Sequence, residues 1–239
     1  MAKVRIAVNG ASGRMGNRIL ALAEASAEFE IAGRFDANAE KLSSAALKKS
    51  GSGVLIDFSS PAGTLEAAAC AEAAGWGLVV GTTGLEAKEF DALKAAAARI
   101  PVVVSSNMSV GVNLVIELLE MLSKKAPEDF KIEITEAHHI HKKDAPSGTA
   151  IMLLNAIAGS RRWDARRTAE EKARIRSVRE GEIVGDHSVL FSGSDETIEI
   201  RHHARSRDIF AAGALVAARY AASAKPALYT MRDALKKIA

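Results

Sequence analysis

The sequence predicts an α/β chain: a doubly wound parallel sheet in the N-terminal half, followed by an α+β domain. Three observations carry that expectation. The first hundred residues alternate short apolar runs with helical stretches, a glycine-rich turn separates the first run from the first helix, and beyond about Asn107 the runs give way to polar–apolar alternation. Continuous apolar strands, each followed by a helix, belong in a parallel sheet covered on both faces. Alternation belongs in a sheet with one wet face.

Residues 4–8 form the first strand, ended by Gly10, and residues 14–25 read as helix. A second strand spans 30–35 and ends at Asp36; a third spans 53–58, with a helix from about 64 to 74. A fourth strand at 77–80 precedes a helix over about 86–99, and 101–105 is the fifth. Right-handed crossovers then place helices on both faces. A helix over about 111–124 leads into an alternating strand at 131–136. Further alternating segments at 182–184, 188–191 and 197–201 predict a mixed or antiparallel sheet with one or two helices. The alanine-rich tail from Phe210 reads as helical. With no internal repeat and no low-complexity linker, two closely joined domains with a cleft between them are expected.

Composition narrows the function. Of 239 residues, 48% are hydrophobic and 26% charged, which excludes a disordered chain. A single cysteine, Cys70, excludes a disulfide scaffold. No apolar run reaches the roughly 18 residues of a membrane helix, and the charged start has no signal-peptide core. A reducing cytosol and no membrane partner are therefore expected. Lys and Arg number 32 against 29 acids, an excess of +3, and aromatics are only 5%. That balance predicts no nucleic-acid partner. The dense basic stretch at 161–167 reads as a solvated surface excursion.

The turn Gly10-Ala11-Ser12-Gly13-Arg14-Met15-Gly16 has G-x-x-G-x-x-G spacing between a strand and a helix. Gly10 permits a tight turn, Gly13 lets a pyrophosphate approach the backbone, and Gly16 allows close packing. The helix N-terminus offers N–H groups and partial positive charge to phosphates. This context points to a Rossmann-type dinucleotide site. Asp36 lies about twenty residues beyond, where an acid accepts hydrogen bonds from ribose hydroxyls and repels the extra phosphate of NADPH. Ala37 follows it, so Arg14 and Arg34 are the cations left to meet that phosphate. NADH is expected to serve at least as well as NADPH. The loops Gly81-Thr82-Thr83-Gly84 and Ser105-Ser106-Asn107-Met108-Ser109 follow the fourth and fifth strands, and ligands sit beyond the carboxyl ends of such strands.

The most informative stretch runs Glu136-Ala137-His138-His139-Ile140-His141-Lys142-Lys143-Asp144-Ala145-Pro146-Ser147-Gly148-Thr149. Three histidines and two lysines form a cationic loop fit for an acidic small molecule and for proton transfer. Ser147, Gly148 and Thr149 open a helix whose hydroxyls and N–H groups suit a carboxylate. His139 and His141 have His-x-His spacing, but no acid or cysteine lies at helical ligand spacing and the lysines repel cations, so no metal is expected.

These blocks resemble the 4-hydroxy-tetrahydrodipicolinate reductase (dihydrodipicolinate reductase) family. Besides the glycine turn and the histidine–lysine block through Ala150, Ile56-Asp57-Phe58-Ser59 with Pro61 matches, as do Gly81–Gly84, Asn107–Asn113, Gly185-Asp186-His187 and residues 200–207. The resemblance implies that His138 is the catalytic histidine and Lys142 the proton-donating lysine, with His139, Gly148 and Thr149 on the substrate carboxylates. It implies cofactor contacts at Gly10, Ala11, Ser12, Gly13, Arg14, Met15, Asp36, Gly81, Thr82, Thr83, Ser105, Ser106, Asn107 and Met108. It further implies NADH or NADPH as cofactor, a cyclic imine dicarboxylate as substrate, a homotetramer, and a closing helix that returns to the nucleotide domain. Residues 1–108 with 207–239 would then bind dinucleotide, and 109–206 would serve substrate binding and oligomerisation. Departures fall near the cofactor: Ser60 stands where many members carry arginine, Met108 where phenylalanine is common, and no glycine precedes Tyr229 in Pro226-Ala227-Leu228-Tyr229. A related amino-acid dehydrogenase and a non-catalytic NAD(H) sensor are the competing readings. The first need not carry the histidine–lysine block, and the second would bind cofactor without turnover.

Overall fold

The computed structural model describes residues 3–236. The chain divides into two units, Met1–Val110 with Asp208–Ala239, and Gly111–Arg207. The first begins β1 (Val4–Asn9), α1 (Arg14–Glu24), β2 (Phe29–Phe35), α2 (Ser44–Lys49) and β3 (Val54–Asp57). It continues through α3 (Pro61–Ala74), β4 (Gly77–Val80), α4 (Ala87–Ala97) and β5 (Pro101–Val104). Helix α5 (Val110–Lys125) lies in the second unit from Gly111 onward. There follow β6 (Lys131–His138), α6 (Gly148–Arg161), α7 (Ala165–Ala173), β7 (Arg176–Arg179), β8 (Gly185–Ser192) and β9 (Thr197–Ala204). The chain then adds α8 (Asp208–Ala221), β10 (Ala227–Tyr229) and α9 (Met231–Leu235) to the first unit.

The first unit holds a six-stranded sheet in the order β10-β5-β4-β3-β1-β2, parallel throughout. Strand parity sorts its side chains into two cores. Ile6, Val8, Ile56, Val79 and Val103 pack with residues of α1 and α8, while Ala7, Leu55, Leu78, Val80 and Val102 pack with residues of α3 and α4. Each fully buried aliphatic side chain contributes about 1.5–3 kcal/mol, so both layers hold the sheet. Chain order runs outward in opposite directions from the β1–β3 pair, which makes the carboxyl ends of those strands the switch point where ligands bind in such sheets.

The second unit holds a mixed sheet in the order β7-β6-β8-β9. β6 pairs parallel with β7 and antiparallel with β8, which pairs antiparallel with β9. Ile134, Val189 and Phe191 pack with Leu119 of α5 and with Leu153, Leu154 and Ile157 of α6.

Several elements differ from expectation. Residues 182–184 are not a strand; the remaining strand is β7, at one edge of the sheet, whose sequence Arg-Ser-Val-Arg carries no apolar alternation. An edge strand of four residues has one neighbour, and a single partner imposes little pattern. The tail is not helix alone, because β10 adds the outermost parallel strand beside β5. The basic stretch at 161–167 enters α7, whose cap is Asp164 accepting from the Arg167 N–H at 2.7 Å. Helix α2 is similarly short and capped, with Ser43 accepting from the Ala46 N–H.

Helix α8 lies against the loop after β5 so closely that a Cβ at Gly213 would fall 1.7 Å from the Met108 carbonyl oxygen. Backbone cannot yield as a flexible side chain can. Gly213→Ala is expected to cost about 1–3 kcal/mol by overpacking, read as a lowered thermal midpoint. A wild-type midpoint would contradict this packing.

Candidate active site

The carboxyl ends of β1 and β3 face a cavity of about 570 Å³ in the first unit. Gly10, Ser12, Gly13 and Asp36 line it, together with Phe58, Ser59, Ser60 and Lys41. Gly10 has φ +79°, and a Cβ there would meet the Phe58 carbonyl oxygen at 2.3 Å; a Cβ at Gly16 would meet the Gly10 oxygen at 2.2 Å. Only glycine permits this turn. Gly13 begins α1, and no side chain caps the helix. Its first-turn amides are thus left to an anion. The glycine cradle, the uncapped helix and the acid beside them fit the adenosine and pyrophosphate of a dinucleotide.

Asp36 is held by Ser12, whose N–H and hydroxyl donate to Oδ2 at 3.1 and 2.6 Å. These bonds lower its pKa, the Ser12 hydroxyl contributing most, so the acid stays charged at neutral pH. Arg34 is engaged elsewhere, ion-paired to Glu24. Lys41 is the cation lining the cavity. It lies outside the glycine turn and away from the strand end, where sequence patterns seek such a partner.

Asp57, fully buried, ties the surrounding loops together. Its carboxylate accepts from Asn9 Nδ2 at 2.8 Å, Ser59 Oγ at 2.5 Å, Thr64 Oγ1 at 2.6 Å and Thr82 Oγ1 at 2.8 Å. The Thr82 hydroxyl also accepts the Ser59 N–H at 3.0 Å. Thr82 therefore spends its hydroxyl on the scaffold, while Thr83 is exposed. A Cβ at Gly81 would strike the Phe58 ring, so that glycine makes room for a side chain of the chain itself. Ser105 Oγ donates to the Asn107 carbonyl at 2.7 Å, and Asn107 Oδ1 accepts from the Ser109 N–H at 2.9 Å. Met108 is a core residue, 2% exposed, and Ala11 is buried beside it in the same cluster, with Met15 packed against that cluster. Arg14 and Ser106 are not among the cavity-lining residues.

In the second unit the inward rows of β6 and β8 change character along their length. Ile134 and Val189 belong to the apolar core; Glu136 and His187 face each other next, and His138 follows, all buried. His138 Nδ1 is hydrogen-bonded to Glu136 Oε2, and Arg179 Nη2 lies 2.9 Å from Glu136 Oε1. Burial lowers the His138 pKa against the opposing pull of Glu136. Burial alone would raise Glu136, but the ion-paired Arg179 guanidinium, with Ser177 and His138, brings it below the usual carboxylate value. His187 meets His138 edge-on, with ring centroids 5.2 Å apart. Its Nε2 lies 3.2 Å from the Ser147 hydroxyl, which accepts the Ala150 N–H and caps α6.

Lys142 Nζ donates to Asp144 at 2.8 Å, and the lysine holds the Asp144 carboxyl below its usual range. Gly148 is exposed and Thr149 half-buried at the start of α6. The His139 and His141 rings are tilted neighbours, 6.2 Å apart, and His139 Nδ1 is buried without a hydrogen-bond partner among the described residues. The structure thus joins His138, through a shared cluster, to Glu136, Arg179 and His187. The sequence names His138 through the family resemblance, and the spacing of His139 and His141 suggests only a metal pair, which is set aside. Pairing with Arg179 makes Glu136, His138 and His187 a charge-balanced network. Register exposes it: Glu136 stands opposite His187, and His138 opposite Arg179.

His187 gives a pH dependence. Burial first, then the neighbouring His138, push its pKa down to about 4. An unfolded histidine titrates near 6.5, so between these values the unfolded chain binds the extra proton. The stabilisation is complete above about pH 6.5 and lost as pH falls toward about 4, with a ceiling of about 3 kcal/mol. The thermal midpoint is expected to drop across this window, and less steeply in His187→Gln. Equal slopes would contradict a neutral, buried His187.

Comparison with known proteins agrees with this geometry. Residues 4–108 match the family model described as dihydrodipicolinate reductase, N-terminus, and residues 111–235 match dihydrodipicolinate reductase, C-terminus. The 4-hydroxy-tetrahydrodipicolinate reductase of Nitrosomonas europaea is 41% identical, over 98% of this chain and 99% of its own. That of Desulfovibrio desulfuricans is 40% identical, over 95% and 98%. Among solved structures, the dipicolinate-bound dihydrodipicolinate reductase from Paenisporosarcina sp. TG-14 superposes with TM-score 0.81 at 22% identity, covering 97% of this chain and 99% of that one. A diaminopimelate dehydrogenase of C. glutamicum shares the fold at TM-score 0.60 and 12% identity. Matched along nearly its whole length in both units, the chain belongs to the dihydrodipicolinate reductase family of oxidoreductases.

Proposed function

We propose that this chain acts on the cyclic imine dicarboxylate 4-hydroxy-tetrahydrodipicolinate, whose 4-hydroxyl leaves as water to give a conjugated imine, and that it reduces this imine to tetrahydrodipicolinate with one hydride from NADH or NADPH and one proton, a step of the diaminopimelate route to lysine. The observation that carries the reading is the placement of a buried, carboxylate-bound His138 and a Lys142 ammonium on the segment that leads into α6. The cofactor, when bound, supplies a hydride to the conjugated ring. Gly10, Ala11, Ser12, Gly13, Arg14 and Met15 form the turn that receives its pyrophosphate, and Asp36 accepts from the adenosine ribose. The loops 81–83 and 105–108 flank its nicotinamide end, Thr82, Ser105, Asn107 and Met108 through the backbone they brace. His139, Gly148, Thr149 and the Ser147-capped turn of α6 bind the substrate carboxylates. Cations and the N-terminus of α6 oppose two negative charges there.

As negative charge builds on the ring, Lys142 or His138 delivers the balancing proton. The Asp144 contact holds the ammonium in place. Fixed cations away from bulk water stabilise such charge better than water does. A homotetramer in the cytosol completes the reading, the first as the family resemblance implies and the second as the single cysteine suggests.

Oxidation of reduced nicotinamide, followed at 340 nm with the imine generated in situ, tests the activity. His138→Ala and Lys142→Ala are each expected to lower kcat by about 10²-fold or more. Near-normal turnover in both would refute the roles. Thr149→Val is expected to raise KM for the imine chiefly. NADH is expected to match or exceed NADPH in kcat/KM, because the charged Asp36 faces the extra phosphate. Lys41→Ala is expected to weaken NADPH more than NADH, and equal losses would contradict a phosphate contact.

A further inference from the structure

Arg179 sits on the edge strand β7, in parallel register with His138 of β6. Its guanidinium reaches both sides of the proposed proton-transfer site. Nη2 is 2.9 Å from Glu136 Oε1, and the other oxygen of that carboxylate binds His138 Nδ1. Nε donates to the Lys142 carbonyl at 3.3 Å, and Nη2 donates to the Asp144 carbonyl at 2.5 Å. The side chain is 19% exposed and Glu136 not at all. One planar fork therefore spans the carboxylate beneath His138 and the two carbonyls that shape the Lys142 loop. A lysine carries its charge on a single nitrogen and cannot span all of them.

We propose that Arg179 is a positioning residue that fixes the His138 imidazole and the Lys142 ammonium in one shared arrangement, acting through Glu136 on one side and the loop carbonyls on the other. The proposal rests on the reading of His138 and Lys142 as the proton-transfer pair. A buried carboxylate on Nδ1 holds an imidazole in one tautomer and one orientation, which leaves Nε2 as the working edge. Nε2 borders Gly185, where an added Cβ would come within 3.0 Å, so the glycine keeps that edge open. Among the described residues, the hydrogen bonds and ion pair of Arg179 go to Glu136 and to backbone carbonyls, not to the ring or the ammonium. Its effect passes through geometry, and displacements of about 1 Å at such a site cost about 10²-fold in rate.

Charge gives a second signature. The groups facing His138 are Glu136 on its own strand, Arg179 on β7, His187 on β8 and Lys142 on the following loop. Glu136 favours the imidazolium, and Arg179 and Lys142 oppose it. Loss of the guanidinium is expected to move the His138 titration to higher pH.

The test compares Arg179→Ala, Arg179→Lys and His138→Ala in kcat, in KM for each substrate, in the pH dependence of kcat, and in rescue by ethylguanidinium. For Arg179→Ala, kcat is expected to fall about 10²-fold with KM for reduced nicotinamide changed less than about threefold. The His138 inflection shifts upward, and ethylguanidinium restores about tenfold or more. Arg179→Lys is expected to fall between, with the charge kept and the fork lost; it decides the matter if the alanine variant does not fold. Wild-type kcat in a folded Arg179→Lys, or a loss in Arg179→Ala with no pH shift and no rescue, would overturn the proposal. His138→Ala keeps the two ideas apart. If it turns over normally, the reading of His138 fails; if it fails while the Arg179 variants do not, only the positioning role falls.

Discussion

A carboxylate cut off from water must find its partners inside the protein, or it costs several kcal/mol of desolvation. Asp57 and Glu136 are both fully buried, and each unit of this chain is organised around one of them. Asp57 solves the problem with four neutral donors, Glu136 with a guanidinium and an imidazole. The donors come from segments that carry the candidate site residues. Satisfying the buried acid therefore also sets the geometry of the candidate site.

In the first unit the donors to Asp57 arrive from the end of β1, the loop after β3, the first turns of α3 and the loop after β4. Those segments surround the switch point of the sheet. Phe58, the next residue, presses its carbonyl against Gly10 and its ring against Gly81. Two glycines of the candidate nucleotide site thus answer to the same short segment. In the second unit the inward rows of β6 and β8 run from Ile134, Val189 and Phe191 to Glu136, His187 and His138 without changing register. The apolar end builds the core with α5 and α6. The polar end spends the same burial on lowering the pKa of both histidines.

Much of the fold was legible because its signals are local. The apolar runs of β1, β3, β4 and β5 are buried on both faces, and the glycine turn is fixed by backbone contacts within a few residues. The elements missed have little local signal. β7 is a four-residue edge strand with two arginines, β10 has three residues, and α7 buries none of its residues. The candidate site divides in the same way. His138, Lys142 and Ser147 share one continuous segment and could be read together. Arg179 and His187 reach them only through strand pairing, from positions roughly 40 residues away; His187 was visible in the motif Gly185-Asp186-His187 but its partnership was not, and Arg179 carried no signal of its own. Asp57 and Thr82 were visible as parts of motifs, but their partnership is a cross-strand contact.

The most direct measurement of the buried-carboxylate principle is a long-range ¹⁵N–¹H correlation spectrum of the histidine rings near neutral pH. With Glu136 ionised and bound as described, His138 carries its proton on Nδ1 and leaves Nε2 bare. A His138 found mainly as the Nε2–H tautomer would contradict it, since Nδ1 could then no longer donate to Glu136.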